Sequence, residues 1–94
     1  GWRPVDMVEV MCPFFSAEAL KSANRTFDLS YSTWGLGHIW PKLLKTTPVV
    51  VDEFTIRHTR PHCRDGSFYR YMREIGISPI QEKTRLKDIP LAKL

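Results

Sequence analysis

A chain of 94 residues with 14 Lys and Arg against 10 Asp and Glu, 43% of it hydrophobic, has the composition of one ordinary folded domain and not that of a disordered chain. A domain of this size buries only about 60 to 65% of the surface its unfolded chain exposes, so a large cleft walled by its own elements is not expected. The formal charge of +4 is spread along the chain except for Lys83, Arg85, Lys87 and Lys93, and no dense basic stripe or nucleic-acid motif accompanies it, so nucleic acid is not an expected partner.

Cys12 and Cys63 can form one bridge at most, and their spacing does not decide whether they meet. With so few cysteines a reduced, cytoplasmic setting is the default expectation. No apolar run approaches the roughly 20 residues that cross a bilayer, and no signal-peptide pattern opens the chain. The opening GWRPVD, without an initiator Met, reads as a piece of a longer protein.

In chain order, residues 5–15 (VDMVEVMCPFF) place Val8, Val10 and Cys12 on one parity and predict a mostly buried strand that Pro13 stops. Ser16 then supplies the N-cap of a helix in AEALKSANRTF, with Glu18 in the electropositive first turn and Leu20, Ala23 and Phe27 on one face. The following DLSYS is loop-like. In STWGLGHIWPKLL, residues 32–44, Leu36, Ile39, Trp40, Leu43 and Leu44 follow the spacing of one helical face. Pro41 opposes that helix, since it offers no N–H to the carbonyl of Gly37 and its ring crowds the same carbonyl, at about 3 kcal/mol. A break or kink is therefore expected between residues 37 and 41.

Residues 49–58 (VVVDEFTIRH) predict the best strand of the chain, with Val50, Asp52, Phe54, Ile56 and His58 on one side. Ser67 is expected to cap a helix whose apolar face is Phe68, Tyr71, Met72 and Ile75 and which Gly76 ends. Ser78, Pro79 and Gln81 form a capping-box start for a further helix, followed by a basic tail over residues 84–94 that either docks or frays. The whole predicts a mixed α/β fold, a small sheet with flanking short helices. Two strands do not make an independently stable sheet, so further strands or a partner are expected to complete it.

The densest chemistry lies in RHTRPHCRD, residues 57–65. His58, His62 and Cys63 are three metal-ligating types, with His38 available as a fourth, although no Cys-x-x-Cys pair supports a zinc site and Pro61 stiffens the loop. Arg57, Arg60, Arg64 and Arg70 surround the segment, and guanidinium forks suit phosphate as well as they suit a solvated face. Neither cysteine sits in a nucleophile-elbow pattern, and WGLG matches no phosphate-binding glycine loop.

Three blocks in order, VEVMCPFFS (residues 8–16), STWGLGHIWPKLL (residues 32–44) and VVVDEFTIRHTRP (residues 49–61), resemble the C-terminal part of glycosyltransferase-like proteins with the nucleotide-sugar-binding GT-A fold. The likeness is to a family carrying VEVMAPVFS, WGLD and VVD…HTRP blocks. It implies transfer of a sugar from a nucleotide-sugar donor to a saccharide acceptor hydroxyl, with a divalent manganese or magnesium ion at the diphosphate. It further implies that Trp34 and Gly35 form the acceptor-side turn and that His58 is the candidate metal ligand; Arg57 and Arg60, by the chemistry of their guanidinium groups, are the phosphate-binding candidates.

Gly37 stands where the family turn carries aspartate, and glycine cannot take a proton. His38, whose imidazole titrates near neutrality, is the first substitute base, and Asp52 the second. The donor-binding half, with its Asp-x-Asp, is expected upstream, and these 94 residues contain no Asp-x-Asp, so the chain is not expected to transfer sugar unaided. The competing expectation is a small protein-interaction module, zinc-stabilised, with no catalytic activity.

Overall fold

The computed structural model describes residues 1–59 and 65–94. It is a small mixed α/β protein, as expected, in the order β1 (Trp2–Pro4), α1 (Ala17–Asn24), α2 (Leu36–Leu44), β2 (Val49–Val51), α3 (Ser67–Glu74) and α4 (Pro79–Lys87), with short 3-10 turns at Phe27–Leu29 and Leu91–Lys93. Strands β1 and β2 pair antiparallel, Trp2 opposite Val51 and Pro4 opposite Val49, and all six residues are exposed.

Local sequence determines the helix starts. The Ser16 hydroxyl accepts the N–H of Ala19 at 3.1 Å, and the Ser78 hydroxyl accepts that of Gln81 at 3.2 Å, with Pro79 opening α4. Each bond satisfies one of the amide groups that a helix start leaves without a partner, worth about 1 kcal/mol. Helix α3 differs slightly from expectation: Gly66, not Ser67, occupies its N-cap, and Gly76 follows its end at φ +73°.

The core lies between α1, α2 and α4. Ala23, Leu36, Ile39, Trp40 and Leu86 are buried together, and Val8, Val10, Phe15, Leu29, Leu44, Ile89 and Leu94 pack around them. Trp40 is its centre. Phe15 and Phe27 meet its ring edge-to-face at centroid distances of 5.0 and 6.0 Å. Its indole N–H donates to the Thr26 hydroxyl at 3.0 Å, which in turn donates to the Ala23 carbonyl at 2.6 Å. A bulky aromatic with a polar edge is thereby buried without an unmet donor. With Leu86 fully buried, the start of the expected basic tail is part of the core, not a fraying end.

Three expectations are corrected. Residues 5–15 are not a strand. The alternation is present, since Val8 and Val10 pack on the core while Glu9 is exposed, but the neighbour is helix α2, which offers no ladder. The strand over residues 49–58 is confined to Val49–Val51, because only β1 lies beside it; residues 54–59 have no regular structure and are exposed. The break expected in 37–41 does not occur, and α2 runs through Pro41. The Gly37 carbonyl that Pro41 leaves without a helical donor receives the N–H of Val8 at 3.0 Å. The irregular segment and the unbroken helix are thus one arrangement. Of the predicted α3 face, only Met72 is buried; Phe68, Tyr71 and Ile75 are exposed.

Candidate functional site

The WGLGH turn enters α2 through Gly35, whose φ of +97° is a left-handed conformation that glycine adopts without strain. A side chain there would also meet α4, because a Cβ on Gly35 would lie 2.9 Å from the Leu86 Cβ and 3.1 Å from the Lys83 Cα. A Cβ on Gly37 would collide with the carbonyl oxygen of Val8. Both glycines are required by close backbone packing: Gly35 against α4, Gly37 against the segment before α1. An aspartate at position 37 does not fit this arrangement, which is the physical reason for glycine there.

The preceding residues are held from α4. The two carboxylate oxygens of Glu82 accept the N–H groups of Tyr31 and Ser32 at 2.9 and 2.8 Å. Burial pushes the Glu82 carboxyl up, but hydrogen bonds from the Ser32 hydroxyl and from the Ser32 and Tyr31 amides outweigh it and hold it below its ordinary value. The Ser30 hydroxyl donates to the Trp34 carbonyl at 3.0 Å, and the Trp34 N–H donates to the Ser32 hydroxyl at 3.3 Å. Thr33 is held at φ +68°, a strained conformation for a β-branched residue. This network fixes the backbone of Trp34, whose half-buried ring meets Tyr69 of α3 edge-to-face at 6.4 Å.

Between this turn and the segment containing Glu9 runs a shallow cleft of about 250 Å³, lined by Trp34, Gly35, Gly37, His38, Glu9 and Lys83 among others. The His38 imidazole, half-buried here, is held below its ordinary value of 6.5, first by burial, then by the ammonium groups of Lys83 and Lys87; Lys42 adds to this and Asp6 opposes it. At neutral pH it is a neutral ring able to accept a proton.

The structure therefore brings Trp34, Gly35 and His38 together. Of the other expected site residues, Asp52, Arg57 and His58 are described, and none of them lines the cleft. Asp52 follows β2, where its carboxylate takes the guanidinium of Arg3 at 2.8 Å and its N–H donates to the Gly1 carbonyl at 2.8 Å, a strand-end brace. Arg57 and His58 are exposed, while Arg60, His62, Cys63 and Arg64 lie outside the described residues, as does any pairing of Cys63 with the exposed Cys12. Among the described residues no group of three or more His, Cys, Asp or Glu is gathered to hold a metal ion. No helix of the described residues is long and apolar enough to cross a membrane.

Lys83, Glu9 and the Glu82 brace are absent from the sequence-level site. They lie about 50 and 25 positions from Trp34, and only folding brings them to the turn. Comparison with protein-family models, with curated proteins and with solved structures finds no match to the chain.

Proposed function

We propose that the chain is the acceptor-side part of a glycosyltransferase-like protein of the GT-A class, and that the cleft beside α2 binds the saccharide that receives the sugar. The observation that carries this reading is that Trp34, Gly35 and His38 line one cleft. An indole at the wall of a shallow cleft offers a flat apolar surface for a pyranose ring, and the polar groups beside it orient the hydroxyls. In the proposed reaction the acceptor oxygen forms a bond to the donor's anomeric carbon, the bond from that carbon to the nucleoside diphosphate breaks, and the hydroxyl proton passes to the neutral His38 ring. The nucleotide-sugar donor and its manganese or magnesium ion belong, on this reading, to a half carrying Asp-x-Asp, and no step on the present chain is routed through the metal.

The test is a nuclear magnetic resonance titration of the chain with glucose, galactose and maltose. Shifts confined to residues 7–10 and 33–38, abolished in Trp34→Ala, are expected with millimolar affinity. The absence of shifts with all three sugars overturns the reading.

A second reading, a protein-interaction module without catalytic activity, is favoured by the exposure of Phe14 (90%) and Phe54 (79%). Thermal-shift titration separates the two. Stabilisation by manganese together with a nucleoside diphosphate favours the transferase; stabilisation by zinc alone, lost in Cys63→Ala, favours a zinc-stabilised module.

A further inference from the structure

Resting on the saccharide reading of the cleft, we infer that its ligand is an acidic sugar, a pyranose carrying a carboxylate or phosphate that Lys83 pairs with while the ring lies against Trp34. Two aspects of the geometry lead there. Lys83 is fixed at the cleft by the contact of its backbone with Gly35, and the same glycine's carbonyl accepts the N–H of His38 at 3.0 Å, so the ammonium and the imidazole flank one turn. Among the described residues no carboxylate stands within ion-pairing distance of the Lys83 ammonium, although Glu82 precedes it, because both Glu82 oxygens are turned to the Tyr31 and Ser32 amides.

Around the cleft three ammonium groups stand against two carboxylates. The segment before α1 contributes Asp6 and Glu9, α2 contributes Lys42, and α4 contributes Lys83 and Lys87. Lys42 is occupied by the Lys87 carbonyl at the end of α4, at 2.5 Å, and among the described residues Lys83 is the lysine that lines the cleft. The first turn of α2 borders the same cleft and adds its partial positive charge. An anion beside His38 reverses the effect of the lysines on the ring and favours its protonated form, so ligand binding and proton uptake are linked. A neutral sugar has no such effect.

The experiment compares glucose, glucuronic acid, glucose 6-phosphate and inorganic phosphate, followed by nuclear magnetic resonance on the wild-type chain and on Lys83→Gln and Trp34→Ala. Both acidic sugars are expected to bind roughly tenfold more tightly than glucose, the ratio that one charge-assisted hydrogen bond supplies. Lys83→Gln removes that preference without removing glucose binding, and the His38 ring signals titrate at higher pH when an acidic sugar is bound. If glucuronic acid and glucose 6-phosphate differ, the tighter one identifies the anionic group. Equal binding of glucose and both acidic sugars overturns the inference and leaves the saccharide reading standing. Binding of inorganic phosphate as tight as that of the acidic sugars, unaffected by Trp34→Ala, overturns both.

Discussion

The N–H of Val8 donates to the carbonyl of Gly37 at 3.0 Å, and a side chain on Gly37 would strike the carbonyl of the same valine. One backbone crossing thus joins the irregular segment before α1 to the middle of α2. It also forms the wall of the cleft that contains Trp34 and His38. Gly37→Ala is expected to lose about 1 to 3 kcal/mol, the typical range for forcing atoms into a packed contact, measured by urea unfolding. Gly37→Asp, which restores the acid of the resembling family, is expected to lose at least as much, because it adds a carboxylate to a buried position. Wild-type stability in either variant shows that the crossing is not formed.

Pro41 is the other half of that arrangement. Inside a helix proline removes a donor and leaves a carbonyl unmet, but here the carbonyl of Gly37 already has Val8. Pro41→Ala therefore restores a helical hydrogen bond to an oxygen that has a partner. The expected change in unfolding free energy is below about 1 kcal/mol in either direction, well short of the roughly 3 kcal/mol that an interior proline ordinarily costs. A stabilisation near that larger figure would show that Val8 does not compensate for the proline.

These two residues also show why the sequence was legible in some places and not in others. The caps Ser16 and Ser78 act within three positions, and both were readable from the chain. So was the face of Leu36, Ile39 and Trp40, because helical periodicity is local. The continuity of α2 through Pro41 was not, since it depends on the Val8 amide, 29 positions before Gly37, which no window around the proline contains. The strand expected over residues 5–15 failed in the same way: its alternation was read correctly, but what lies beside an alternating segment is a tertiary fact. In the candidate site, Trp34, Gly35 and His38 stood out because they are close in sequence, whereas Lys83 and Glu82 come from the other end of the chain.

Glu82 is a buried carboxylate whose oxygens hold two backbone amides of the turn before Trp34. Glu82→Gln keeps the size and leaves one oxygen to accept, so a loss of about 2 kcal/mol is expected, within the range for hydrogen bonds to charged groups. The pH dependence follows from the sign of the shift. The folded-state value lies below the ordinary 4.5, so the contribution is complete above that pH and is lost as the pH falls through the lower folded value. The unfolding free energy of wild type, measured by urea unfolding followed by circular dichroism, should therefore fall more steeply below pH 4.5 than that of Glu82→Gln, the two converging at low pH. Parallel profiles would remove Glu82 from the turn.

His38 gives the same sign in a different window. Its folded-state value lies below 6.5 because burial and the ammonium groups of Lys83 and Lys87 oppose protonation, with Lys42 adding and Asp6 subtracting. The unfolded chain consequently takes up the proton first, and the stability contributed by the neutral ring, complete above 6.5, is lost as the pH falls through the folded value. Salt separates the causes: it screens the lysines but leaves the burial effect, so the His38 ring is expected to titrate closer to 6.5 at about 1 M salt without reaching it. Lys83→Gln should move it in the same direction at low salt. A ring that titrates at its ordinary value at low salt, and is unmoved by Lys83→Gln, would place His38 outside the cleft and remove the base from the proposed reaction.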